Sequence, residues 1–208
     1  ECSIGLIPDV GGTAILARAP GRIGAYLGVT GARTGPADSL LAGYGDHFIP
    51  EQRWEALKAD LVAGADPAGI RGETPPAGDL PRLQGAIDHH FHNLALGPVL
   101  RSLEGDDSDF ARATLATMAA NAPLSMACTL AALDRLGPGA GLRDALALEY
   151  RFTWRAIAGH DFVEGIRAAI IDKTRDPVWQ HPDMADLPAD AAAAMLAPLD
   201  PAEELTFP

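Results

Sequence analysis

Two carboxylates open the chain, Glu1 and Asp9, eight residues apart on either side of a segment containing Gly5 and Pro8. A loop of that composition can turn both side chains onto one cavity. Unequal surroundings would then separate their pKa values and divide acid and base roles between them. The same two residues also suit a plainer reading, a solvated Glu and an Asp that caps a helix starting after Gly11 and Gly12.

Three other clusters have the right residue types for chemistry. His89, His90 and His92 follow Asp88, but neighbouring residues on a helix point to different faces, so only His89 and His92 are spaced to share an ion. A polar helix face is the commoner outcome, and no metal site is expected. His160 and Asp161 suggest a His-Asp dyad, yet no serine or cysteine partner is marked by a motif, which favours a helix-capping pair. Cys2 and Cys128 are far apart and show no metal-ligand spacing, so neither a disulfide framework nor a zinc site is expected.

The elements that must position these groups are mostly helical. Apolar residues between 13 and 27 follow helical spacing, with Pro20 and Gly21 splitting the stretch into two short helices. Pro36 begins another helix, through Ala42. His47, Phe48 and Ile49 suggest a short buried strand, and 51–63 an amphipathic helix. The segment 64–81 is rich in Gly, Pro and Asp and reads as a surface connection. Beyond it lie helical patterns over 84–91, 99–104, 109–121, 124–136 and 143–159, then a helix from Asp161 as N-cap to about Ile171, with Glu164 at the capping-box position. A last short helix is expected over 188–196. The division is therefore 1–63, a connecting loop 64–81, and a helical region 82–208.

Composition limits the partners. The chain has 208 residues and a net charge of −12, a field that repels nucleic acid and obliges any anionic ligand to find a local basic cluster. No apolar stretch is long enough to span a bilayer and no basic leader opens the chain. A soluble protein in a reducing, cytoplasmic setting is expected, with no nucleic-acid or membrane partner. The patterned opening without a lead-in suggests that a segment upstream is missing.

The opening E-C-S-I-G-L-I-P-D-V-G-G resembles the P-E-x-x-x-G-x-x-P-D-V-G-G segment of the 3-hydroxyisobutyryl-CoA hydrolase branch of the enoyl-CoA hydratase/isomerase (crotonase) superfamily. The likeness continues through Leu16, Arg18, the Leu-Gly-Val-Thr-Gly turn at 27–31, Ala42-Gly43 and His47-Phe48-Ile49. It includes Asn121-Ala-Pro-Leu-Ser-Met and Leu148-Glu149-Tyr150-Arg151. Near the other end, G-H-D-F-V-E-G-I-R-A at 159–168, with Ile171-Asp172-Lys173 and Pro177-Val178-Trp179, is similar to a stretch that distinguishes that branch. Most hydratases of the fold carry a small residue where Asp9 stands, whereas dienoyl-CoA isomerases also carry an acid there.

The resemblance implies an α/β crotonase (ClpP/crotonase-like) fold. This chain would be its predominantly helical carboxy-terminal part, with 1–63 the end of the spiral core and 82–208 the helical lobe. It implies hydrolysis of a short branched 3-hydroxyacyl-CoA thioester, as in valine breakdown, with coenzyme A as part of the substrate and no cofactor. Glu1 would be the principal catalytic carboxylate, attacking the thioester or activating water, and Asp9 would bind substrate or assist proton transfer. Lys173, and with it Arg167, would meet the coenzyme A phosphates, although a solvated helix face suits Arg167 at least as well. The two backbone N–H groups of the oxyanion hole belong, in this superfamily, to segments upstream. The expected partners are the acyl-CoA, the missing amino-terminal portion of the same enzyme, as part of it or as a separate chain, and further copies in a homo-oligomer. The alternatives are an enoyl-CoA hydratase or isomerase of the same fold, or a non-catalytic assembly fragment that completes a partner chain.

Overall fold

A computed structural model describes residues 1–207, Ala185 through its backbone alone; Pro208, the end of the expected 82–208 region, lies outside the described residues. The architecture is helical, and no strand occurs among the described residues. After a 3-10 turn at Cys2–Ile4 come α1 (Gly12–Arg18), α2 (Ile23–Thr30), α3 (Pro36–Leu41), α4 (Trp54–Val62), α5 (Leu80–His90), α6 (Leu96–Glu104), α7 (Asp109–Met118), α8 (Pro123–Leu136), α9 (Leu142–Ala156), α10 (His160–Ile166) and α11 (Ala191–Met195). Pro20 and Gly21 do separate α1 from α2, because a proline ring cannot continue the ladder.

The centre of the body is α8. Its sequence is apolar around most of its circumference, as a helix covered on several sides requires. It packs against α1, α2, α6, α9 and α11, burying Met126, Cys128, Leu130, Ala132 and Leu133. The larger core joins Leu16, Ile23 and Val29 from before the 64–81 connection to Ile87, Phe91, Val99 and Met126 from after it. Asp38 ties that connection down: its buried carboxylate accepts the N–H groups of Asp79 (3.1 Å) and Leu80 (2.9 Å) at the start of α5. No single helix among the described residues is long and apolar enough to cross a bilayer.

Three expectations need correction. His47, Phe48 and Ile49 form no strand; Phe48 accepts a single backbone bond, from Glu73 N–H at 2.9 Å, and a lone bond cannot make a ladder. The 51–63 segment is helical, as a 3-10 turn followed by α4, but its apolar stripe is not covered: the helix buries no residue, and Trp54 spends its indole N–H on the Ile49 carbonyl. Asp161 is not an N-cap. Gly159 occupies that position, Asp161 lies in the first turn, and Glu164 bonds elsewhere. The helix does reach Ile171, though its last stretch, Arg167–Ile171, widens into a π-helix.

Candidate active site

The site is built on the first turn of the chain. Cys2 is buried beneath Glu1, with its thiol against Thr129 Oγ1 (3.5 Å) and the Gly28 carbonyl (3.4 Å). Burial raises the thiol to about pKa 11, so it stays protonated and serves as an apolar anchor. The Ala122 N–H, just before α8, donates to the Cys2 carbonyl at 2.9 Å. Helix α10 closes the other side of the turn at near-contact distance. A side-chain carbon on Gly165 would stand 2.3 Å from the Ile4 carbonyl oxygen, and one on Gly5 would stand 2.4 Å from Asp161 backbone, so glycine is required at both surfaces. The distinctive carboxy-terminal stretch of the sequence thereby clamps the turn that carries Glu1.

Asp9 lies just before α1, and its placement depends on a residue that sequence reasoning singled out without a role. Glu149 on α9 is 2% exposed, yet it is a carboxylate. It accepts the N–H of Gly11 (2.8 Å), the N–H of Thr13 (3.0 Å) and the Thr13 hydroxyl. These are the donors that the first turn of α1 leaves unpaired, and a buried anion at the positive end of a helix satisfies them. The cap that the plainer reading gives to Asp9 is therefore supplied by Glu149; Gly11 is the N-cap residue and no side chain next to it bonds the helix. A signal was present: Ala145, Leu148, Glu149, Phe152 and Ala156 form one buried stripe, and a carboxylate in such a stripe demands donors. Next to Asp9, Val10 holds φ 56° while 87% exposed, a strained conformation for a β-branched residue.

Relieved of capping, Asp9 faces a cavity of about 390 Å³ that it shares with Glu1 and Tyr44, walled by Pro8, Ile15, Leu16, Leu27 and Ala32. Among the described residues neither carboxylate has a side-chain hydrogen bond or ion pair. Tyr44 was not anticipated. Its phenol is pushed up to about 12 by burial and then by the charge of Glu1, so it remains a neutral O–H donor.

The other candidates fall away from this cavity. Lys173 is exposed at φ 59° on the segment leaving the π-helix, outside the cavity lining. Arg167 is neither a free phosphate ligand nor a solvated face. It holds Glu164 (2.7 Å), Asp172 (2.6 Å) and Asp176 (3.6 Å), folding the loop that bears Lys173 back onto α10. That bidentate contact, with the Val178 N–H, lowers Glu164 from 4.5 to about 2. His92 Nδ1 donates to the His89 carbonyl (3.0 Å), while His90 is buried against Ser102 (2.8 Å) and Asp106 (3.0 Å). No group of three or more metal-ligating side chains occurs among the described residues. His160 donates to the Val178 carbonyl at 2.8 Å, and Asp161 accepts the Gln180 N–H at 2.7 Å. Ser125, in the same small pocket, is bonded to neither, so the three form no nucleophilic triad.

Comparison with known proteins identifies the family of the chain. The enoyl-CoA hydratase/isomerase family profile matches residues 1–196. A mitochondrial 3-hydroxyisobutyryl-CoA hydrolase of Xenopus laevis is 32% identical over 91% of this chain and 52% of its own length. The human protein of the same name is 31% identical over 90% and 52%. The chain thus spans about half the length of the curated relatives it matches. Among solved structures, an enoyl-CoA hydratase from Rhodobacter sphaeroides superposes with a TM-score of 0.93 at 50% identity, covering 100% of this chain and 60% of that one. A carnitinyl-CoA dehydratase from Mycobacterium thermoresistibile gives 0.89 at 32% identity, with coverage of 100% and 60%. The expectation of a cytoplasmic setting is overturned by these relatives, whose names place them in mitochondria. Buried free cysteines require only a reducing compartment and do not distinguish the two. By the family match and by both structural neighbours, this chain belongs to the enoyl-CoA hydratase/isomerase family.

Proposed function

We propose that the protein containing this chain hydrolyses the thioester of a short branched 3-hydroxyacyl-CoA to the free acid and coenzyme A. The observation that carries the reading is the unpartnered pair of carboxylates on one cavity, available because Glu149 caps α1 in place of Asp9. The names of the relatives at 31–32% identity support it. Glu1 takes a proton from water as the water oxygen adds to the thioester carbonyl. The C–S bond then breaks, and the proton passes to the departing sulfur. Asp9 orients the substrate or assists that transfer. The oxyanion-hole donors come from the remainder of the protein, as part of the same enzyme or as a separate chain. Lys173, held on its folded-back loop, meets the coenzyme A phosphates, and no cofactor is involved.

A second reading, hydration of an enoyl-CoA, is favoured by the hydratase structure at 50% identity. One assay of the whole protein separates the two. Thiol release from 3-hydroxyisobutyryl-CoA is expected. Loss of the enoyl absorbance of crotonyl-CoA, with no thiol released, would replace the hydrolase by the hydratase.

A further inference from the structure

Tyr44 reaches the cavity through a helix-ending motif that fixes its backbone. Gly43 takes a left-handed conformation (φ 78°) after α3. Its N–H donates to the Leu40 carbonyl at 3.2 Å, and the Tyr44 N–H donates to the Ser39 carbonyl at 2.8 Å. This is the paired bonding of a Schellman cap, which reverses the chain and sends the next side chain out at a set angle. The ring that emerges is 41% exposed and lines the space shared by Glu1 and Asp9. Among the described residues its hydroxyl has no hydrogen-bond partner.

The cavity's polar inventory gives that hydroxyl a task. Glu1 and Asp9 are acceptors when ionised, and the remaining lining side chains are apolar, so among the described residues Tyr44 supplies the one side-chain donor of the lining. An acyl group with a hydroxyl near the thioester can donate to a carboxylate and still needs a donor for its oxygen. Its methyl branch needs an apolar wall, which Pro8, Leu16 and Leu27 provide. We infer that Tyr44 is a specificity-determining residue: its phenol donates to the 3-hydroxyl oxygen of the acyl group and selects hydroxylated over plain branched thioesters. This inference rests on the hydrolase reading above.

The test compares 3-hydroxyisobutyryl-CoA with isobutyryl-CoA, using the whole protein as wild type and as Tyr44→Phe. The readout is the preference, the ratio of the two kcat/KM values. Tyr44→Phe is expected to lower that ratio about 10- to 100-fold, the loss of one hydrogen bond in a partly enclosed site. An unchanged ratio, whether both rates fall together or neither falls, overturns the inference. Should the wild type release no thiol from either compound, the hydrolase reading fails by itself. The two dissociation constants, measured by calorimetry, then carry the same comparison: a wild-type preference abolished by Tyr44→Phe supports the role of Tyr44, and a preference that is absent or unaltered removes it.

Discussion

Glu149 and Thr13 are joined by two hydrogen bonds, from the Thr13 N–H at 3.0 Å and from its hydroxyl, across the contact between α9 and α1. With the Gly11 N–H they satisfy both oxygens of a buried carboxylate and fix the start of α1. The loop holding Asp9 is thereby positioned from a residue 140 places further along the chain.

Replacing Glu149 should therefore affect both stability and rate. Glu149→Gln keeps one acceptor oxygen but turns an NH2 group toward backbone donors. A loss of about 2–3 kcal/mol is expected, the scale of charge-assisted hydrogen bonds to a buried group. Urea unfolding of the whole protein measures it. A loss below the precision of that measurement would mean that the cap does not hold the loop.

Glu164 gives a pH signature with a definite sign. Its folded pKa is depressed from 4.5 to about 2, chiefly by Arg167 and then by the Val178 N–H. Its contribution is fully present above about pH 4.5 and disappears as pH falls toward 2. The difference in thermal midpoint between wild type and Glu164→Gln should be largest near neutrality and shrink through that acid window. A difference constant with pH would assign no role to the charge.

Gly165 tests the clamp on the first turn. A methyl group there would lie 2.3 Å from the Ile4 carbonyl oxygen, so Gly165→Ala must push α10 away from the turn that carries Glu1. A destabilisation of about 1–3 kcal/mol, the usual cost of overpacking, should accompany a fall in thiol release. Full stability and full activity in this variant would show that the clamp is dispensable.

Much of this was legible in the sequence, for local reasons. Pro20 with Gly21 and Pro36 mark helix limits through their own backbone restrictions, and the stretches at 1–12 and 159–179 carry the family likeness. What was illegible depends on distant pairing. The strand expected at 47–49 needed a neighbour that the described residues do not supply, and the apolar stripe of α4 found no surface to cover. The plainer reading of Asp9 as a cap follows from a local rule, whereas the true cap comes from α9. Arg167 suits a phosphate ligand or a solvated face by its type alone, whereas Glu164, Asp172 and Asp176 occupy it. Tyr44 is illegible in the sequence because a single aromatic after Gly43 has no motif; only the cavity gives it a neighbour in Glu1.

On the proposed function, Glu1 and Asp9 do chemistry and do not hold the fold together. The most direct measurement is thiol release from 3-hydroxyisobutyryl-CoA by the whole protein, its Glu1→Gln variant and its Asp9→Asn variant, with thermal midpoints taken in parallel. The rate should fall about 10²- to 10⁴-fold in each variant while the midpoint stays near wild type, since neither carboxylate has a protein partner among the described residues. Undiminished thiol release from either variant, or a rate loss matched by collapse of the midpoint, would contradict the account.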